Sequence, residues 1–319
     1  MGSMMTARRY YFLINGNSGS VAALGLTADR LRDVLAARGI AAVVDAELEG
    51  DLAGAVARAT ASDADIVVAA GGDGTVTALA GAMLGTDKSL GILPLGTANM
   101  LARDLNIPLD VDTWIEALEA MQPRAVDVGV VNGRIFLHKV VVGLLPALAA
   151  GREYIRGEGG GAILGYCRFF VRRLARTRRI ALSVSTDGGL PHAERLQALA
   201  IASNAYEEGV GMFFSRSKLD AGKLTLYRLK HLTLGDVIRL SLLMIAGHWQ
   251  DDEALEIEEA QTVTVMSRKP ALKVMLDGEV ETLTSPLEFA IVPQGLNILA
   301  PPMLSDPGIE PGTTKELAP

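Results

Sequence analysis

Residues 65–77, Asp-Ile-Val-Val-Ala-Ala-Gly-Gly-Asp-Gly-Thr-Val-Thr, set an apolar run directly against a glycine-dense turn and a helix-like segment. A buried strand that ends in such a turn presents backbone N–H groups to an anion at a helix start. Glycines let the chain reach left-handed dihedrals and let a polyphosphate approach with no Cβ in the way. Gly71, Gly72, Gly74, Thr75, Val76 and Thr77 are therefore candidate phosphate-loop residues. The carboxylate of Asp73 in mid-turn repels a bare phosphate and points to a Mg²⁺ ion or a sugar hydroxyl beside it. The spacing fits neither Gly-x-Gly-x-x-Gly nor the Walker pattern, which disfavours a Rossmann dehydrogenase and a P-loop NTPase.

A second loop has the same form. Residues 90–99 read Leu-Gly-Ile-Leu-Pro-Leu-Gly-Thr-Ala-Asn, an apolar strand, a glycine turn at Gly96, and then a helical stretch from Met100 to Leu105. Thr97 and Asn99 supply a hydroxyl and an amide where open α/β sheets bind ligands, although capping of the next helix explains either one alone. A third turn, with Asn15, Ser18 and Gly19, follows the strand Tyr10–Ile14. Three such turns at early strand ends converge on one crevice, which favours a nucleotide site. Asp45, ending the second strand, stands where a ribose hydroxyl or an adenine edge could be met.

The chain of 319 residues has room for two domains. Up to residue 125 the strands Tyr10–Ile14, Ala41–Val44, Ile66–Ala70 and Leu90–Leu93 alternate with helical stretches such as Thr27–Arg38 and Asp51–Ala59. That alternation predicts an α/β domain over 1–125, with a parallel sheet covered on both faces. Strand-like runs dominate residues 126–303, including Ile135–Val142, Leu196–Ala202 and Leu272–Leu276, and predict antiparallel sheets packed as a β-sandwich. Residues 304–319 are rich in Pro, Gly and Glu and read as a flexible tail.

Composition narrows the function classes. A net charge of −7 argues against a general nucleic-acid binder, which needs clustered Lys and Arg. A single cysteine, Cys167, excludes an intramolecular disulfide and fits a reducing, cytoplasmic compartment. The four histidines show no zinc spacing. No apolar stretch approaches the roughly 20 residues needed to span a bilayer.

Asn15-x-x-Ser18-Gly19, Gly71-Gly72-Asp73-Gly74-Thr75, Gly96-Thr97-x-Asn99 and Leu276-Asp277-Gly278-Glu279 occur in that order. Together they resemble the diacylglycerol kinase catalytic superfamily over about residues 10–301, with the bacterial soluble lipid kinases closest and sphingosine and ceramide kinases as relatives. NAD kinases and phosphofructokinases carry similar glycine loops. The early Asn-x-x-Ser-Gly and the late Asp-Gly-Glu separate the lipid kinases from them. The resemblance implies an NAD kinase-like first domain, ATP and Mg²⁺ as cofactors, a lipid acceptor such as diacylglycerol, ceramide or a sphingoid base, and a place in phospholipid metabolism. It makes Asp277 the catalytic base, with Asp73 the competing candidate, and Glu279 a helper to the nucleotide or its metal. The residues alone also allow Asp277-Gly278 to be an ordinary hairpin turn.

Three positions depart from the family pattern. Met100 stands where many members have Asp, Ala78 where many have Glu, and Ala221 before Gly222 where several carry the Asp of a structural Mg²⁺ site. Met100 and Ala78 keep open a nucleotide- or lipid-binding regulator without catalysis, and a NAD kinase-like phosphotransferase on a soluble acceptor is the alternative enzyme, favoured by a narrow, polar cleft in the β domain. Residues 162–180 gather Arg168, Arg172, Arg173, Arg176, Arg178 and Arg179 with Tyr166, Phe169 and Phe170 at roughly helical spacing. A basic helix with an aromatic face suits peripheral docking on an anionic membrane; a core-packed helix with a solvated arginine face fits equally. Gly159-Gly-Gly161 just before it could hinge a lid. A homodimer is a further possibility.

Overall fold

The computed structural model describes residues 8–15, 27–46, 51–143, 179–209, 215–230 and 233–302. Ser18, Gly19, the glycines at 159–161, Arg168 to Arg178 and the expected tail lie outside the described residues.

Strands β1 (Tyr10–Ile14), β2 (Ala42–Asp45), β3 (Ile66–Gly71) and β4 (Ser89–Pro94) are parallel, in the order β2-β1-β3-β4. Every residue of β1, β3 and β4 is buried. A sheet covered on both faces explains why these strands read as unbroken apolar runs. Between them run α1 (Ala28–Ala37), α2 (Leu52–Ala61) and α3 (Asp73–Met83). From β1 the chain steps one way to β2, then crosses back past β1 to β3. With right-handed crossovers, α1 lies on one face of the sheet and α2 and α3 pack together on the other. The reversal between β1 and β3 is the switch point where such sheets hold ligands, at the carboxyl ends of the strands.

Two short helices, α4 (Met100–Asp104) and α5 (Val111–Ala117), lead into β5 (Gln122–Val131) and β6 (Arg134–Phe136). The expected division between residues 125 and 126 falls inside β5. The last strand, β16 (Leu287–Ala300), joins the two halves. Its Asn297 and Ile298 pair parallel with Ser89 and Leu90 of β4, while its first half runs antiparallel to β13 (Thr262–Ser267). β13 continues to β8 (Ile180–Thr186) and β9 (His192–Leu196), so the parallel and antiparallel blocks form one ten-stranded sheet.

The second sheet is antiparallel, in the order β12 (Leu255–Ala260), β11 (Leu224–Leu229), β10 (Ala198–Ser203), β7 (Lys139–Gly143), β14 (Ala271–Leu276), β15 (Glu279–Thr284). Its inner face packs on the antiparallel part of the first sheet, through Val140, Ile201, Leu226 and Val274 against Phe136, Val265, Leu287 and Phe289. Phe136 and Phe289 meet edge to face at 6.2 Å. On the outer face, Leu240, Leu243 and Met244 of α6 (Leu234–Ala246) cover Tyr206, Tyr227 and Trp249. The apolar run Ile135–Val142, expected as one strand, breaks at Leu137-His138, and the run Leu196–Ala202 breaks at Gln197. Helix α6 was not expected, although Thr233 and Asp236 form a capping box that marks its start.

Candidate active site

The glycine turns after β3 and β4 meet back to back. A Cβ on Gly96 would stand 2.7 Å from the Cα of Gly72, and one on Gly71 would stand 2.7 Å from the Thr75 hydroxyl oxygen. Only bare backbone fits either position. Across the β1/β3 switch point, Asn15 Nδ2 donates to Thr75 Oγ1 at 3.0 Å. Asn99 adopts a left-handed conformation, φ 47°, and its side chain clasps Gly96, accepting from Gly96 N at 2.9 Å and donating to Gly96 O at 2.8 Å. It closes its own turn instead of capping α4. The cap of α4 is borrowed: Asp73 accepts from Asn99 N at 3.1 Å and Met100 N at 3.0 Å, so one carboxylate ties the first loop to the second. Thr97 is exposed at the loop tip.

Helix α3 begins at Gly72 with no side-chain cap, whereas Thr27, Asp51, Asp110 and Thr233 cap α1, α2, α5 and α6. Its first N–H groups are left to whatever enters the crevice.

On the opposite wall, Asp277 and Gly278 form the two-residue turn between β14 and β15, both at positive φ. The hairpin reading and the functional reading are compatible, because the turn aims the carboxylate at the gap between β6 and β7. There Oδ2 accepts from Leu137 N at 2.6 Å, and Oδ1 accepts from His138 N and Lys139 N, each at 2.9 Å. A carboxylate offers about four lone pairs, so Oδ2 retains one for a further donor. Burial pushes the Asp277 carboxyl above the usual carboxylate range, against the opposing pull of those three N–H groups. The break in the apolar run Ile135–Val142 thus has a cause: its amides turn aside to hold Asp277.

Asp73, Thr77, Met100, Leu137, His138 and Asp277 line one narrow cleft together with the apolar Val76 and Leu101. Behind it lies a buried polar cluster that sequence reasoning missed. Arg216, 1% exposed, donates from Nε and its second terminal nitrogen to Asp104 Oδ2 at 2.9 and 2.7 Å. Its other terminal nitrogen reaches the carbonyls of Leu137 and Ser203 at 2.9 and 2.7 Å. His138 Nδ1 sits 2.8 Å from the Tyr206 hydroxyl, and its Nε2 is 3.7 Å from Asp104 Oδ2. Burial, with Arg216 and Lys139 nearby, pushes the His138 imidazole down to about 2. With the imidazole proton on Nε2, which faces Asp104, Nδ1 accepts from the Tyr206 hydroxyl. Lys139 Nζ lies 5.1 Å from the centre of the Tyr206 ring, and burial, then Arg216, lowers it to about 8. The available signal was the polar pair His138-Lys139 inside an apolar strand run.

Three other acidic residues have different surroundings. Asp45 Oδ2 accepts from the Tyr11 hydroxyl at 2.6 Å and from Arg58 Nε at 3.1 Å. Asp127, also unforeseen, accepts from Gly222 N at 2.6 Å and Gln294 N at 2.8 Å, pinning the 218–223 loop to the bulge in β16. Glu279 sits over the first glycine loop, its Oε1 3.6 Å from where a Cβ on Gly74 would be. Among the described residues, no group of three or more His, Cys, Asp or Glu gathers to hold a metal, and no helix is long and apolar enough to cross a membrane.

This geometry can be set beside known proteins. The sequence matches the Diacylglycerol kinase catalytic domain over residues 9–131 and the YegS C-terminal NAD kinase beta sandwich-like domain over residues 160–300. The diacylglycerol kinase of Bacillus subtilis (strain 168) is 28% identical over 263 residues, covering 79% of this chain and 83% of its own. A solved protein of Bacillus anthracis str. Sterne superposes with a TM-score of 0.69 at 18% identity, covering 94% of this chain and 99% of that one. Yeast NADH kinase shares the fold more distantly, at a TM-score of 0.51 and 12% identity, over 94% of this chain and 85% of its own. With both domains matched in order along most of its length, the chain belongs to the diacylglycerol kinase catalytic domain superfamily.

Proposed function

We propose that the protein is an ATP-dependent lipid kinase that transfers the γ-phosphoryl group to a primary hydroxyl of diacylglycerol or a related lipid. The observation that carries this reading is the pairing across one cleft of Asp73, on the glycine-loop wall, with Asp277, which is half-buried and has an acceptor position to spare. The name of the Bacillus subtilis relative supports the acceptor class.

In this reading the triphosphate lies along the uncapped start of α3, where backbone N–H groups neutralise its charge. The acceptor hydroxyl oxygen forms a bond to the γ-phosphorus as the bond to ADP breaks, and Asp277 Oδ2 takes the hydroxyl proton. A raised carboxyl suits a base that works near neutrality. Asp73 and Glu279 are the carboxylates that would hold a nucleotide-bound Mg²⁺. Two carboxylates plus phosphate oxygens match that ion's preference, and the ion would supply neutralisation of the phosphate charge. Asp45, committed to Tyr11 and Arg58, has no part in the transfer. Docking on anionic lipid through the Arg168–Arg179 stretch belongs to the same reading.

Labelled ATP incubated with mixed micelles of diacylglycerol, ceramide and a sphingoid base tests it. A labelled phospholipid is expected, and its identity names the acceptor. Label that passes only to a soluble acceptor such as NAD would replace this reading with the NAD kinase-like alternative.

A further inference from the structure

Asp73 and Asp277 lie on opposite walls of the cleft, on elements far apart in sequence, yet a continuous set of short contacts joins them. Asp73 holds the first two N–H groups of the Asn99–Met100 start of α4. One turn later that helix ends at Asp104, buried at 7% exposure. Asp104 takes two side-chain N–H groups of Arg216 and also its backbone N–H, at 3.1 Å. Arg216 in turn holds the carbonyl of Leu137, and the N–H of Leu137 holds Asp277 Oδ2. Helix α4 has five residues, too few for its axis to be fixed by its own hydrogen bonds.

We infer that the buried Asp104–Arg216 pair is a positioning pair that sets the separation of the two cleft carboxylates. Arg216 uses its planar fork on three groups at once, the carboxylate at the end of α4, the peptide at the gap before β7 and the Ser203 carbonyl at the end of β10. A lysine, with a single point of charge, cannot bridge the first two in fixed register. Packing alone accounts for a buried ion pair less well than this, since apolar residues of similar volume often stabilise a fold as much or more. The pair touches neither nucleotide nor acceptor in the proposed reaction. Its effect reaches them through the peptide of Leu137 and through α4, and the inference rests on the lipid kinase reading only for its kinetic consequence.

The test has one arm that needs no activity. In native-state hydrogen exchange of the intact wild-type protein, the amides of Met100 and Leu137 should share one opening equilibrium, within about threefold. In the apolar replacement Asp104→Leu/Arg216→Met, both should exchange at least about tenfold faster while the midpoint of thermal unfolding stays near wild type. The second arm is kinetic. Asp104→Leu/Arg216→Met and Arg216→Lys should lower kcat about tenfold or more, with a smaller change, under about threefold, in the Kd for a non-hydrolysable ATP analogue, because neither substitution touches a glycine loop. Wild-type kcat in the folded double variant would overturn the inference, as would wild-type Met100 and Leu137 amides that open independently. If the wild-type protein phosphorylates no lipid, the functional reading falls and the exchange arm still decides whether the pair couples the two walls.

Discussion

Both cleft aspartates are held by backbone N–H groups, yet the two halves of the molecule supply those groups by different means. In the parallel half, helices start at strand ends by topology, and Asp73 needs only to face the start of α4 to find two of them. Among its described residues the sandwich half has no helix at the corresponding place, and it exposes N–H groups by interrupting a strand. The gap at Leu137-His138 frees three amides for Asp277. The first arrangement leaves the start of α3 open to an anion. The second buries its carboxylate and raises its proton affinity. One wall is thereby suited to holding charge and the other to accepting a proton.

The comparison can be broken at each wall. Asp277→Asn should have the largest effect. Turnover should fall on the order of 10²–10⁴-fold, while calorimetry shows ATP affinity nearly unchanged. The amide turns one donor toward the cradle, at a stability loss of about 1–3 kcal/mol. Near-normal kcat would move the base to Asp73. Gly96→Ala should strike the other wall, because its Cβ meets the backbone of Gly72 at 2.7 Å and forces the two loops apart. Nucleotide affinity should drop on the order of tenfold or more, the approach of phosphate being the sensitive quantity. Unchanged affinity in the folded variant would remove these loops from the nucleotide site.

A smaller effect concerns the cluster behind the cleft, where His138 faces Asp104, Tyr206, Lys139 and Arg216. Its folded value of about 2 lies below its ordinary 6.5, so the unfolded chain binds the extra proton. The stability that the neutral ring contributes is present above pH 6.5 and is lost as pH falls toward 2. Between about pH 5.5 and about pH 4.5, urea unfolding of the wild type should lose about 1 kcal/mol more than His138→Gln does. Equal losses would mean that His138 is protonated in the fold. Asp45→Asn should do least: stability within about 1 kcal/mol, because Arg58 is a half-exposed partner, and nucleotide affinity unchanged. A loss of affinity would return Asp45 to the nucleotide site.

The parallel half was the more legible in sequence. β1 coincides with the expected strand, and β3 and β4 extend theirs by a residue or so at an end, because strands buried on both faces leave continuous apolar runs. The glycine turns were legible because the close approach of Gly96 to Gly72 permits nothing larger. The sandwich half was read as strands without their breaks. Nothing local in Ile135–Val142 announces that its middle amides serve an aspartate 138–140 residues away. The Asp104–Arg216 pair was invisible for the same reason, since its partners are 112 residues apart and neither sits in a motif. Helix α6 could have been found from Thr233 and Asp236, a local signal that the density of strand-like runs around it obscured.

The assignment of proton transfer to the sandwich wall is tested most directly by the pH dependence of kcat on a short-chain, water-soluble acceptor, in the wild type and in Asp277→Asn. In the proposed reaction the ionised carboxylate is the base, so activity should be full above the folded value of Asp277 and fall as pH drops through it. The wild type should therefore show a one-proton acid limb centred above the ordinary carboxylate range, because burial raises that group. The residual activity of Asp277→Asn should lack that limb. An acid limb of the same midpoint in the variant would contradict the account and place the base on the glycine-loop wall.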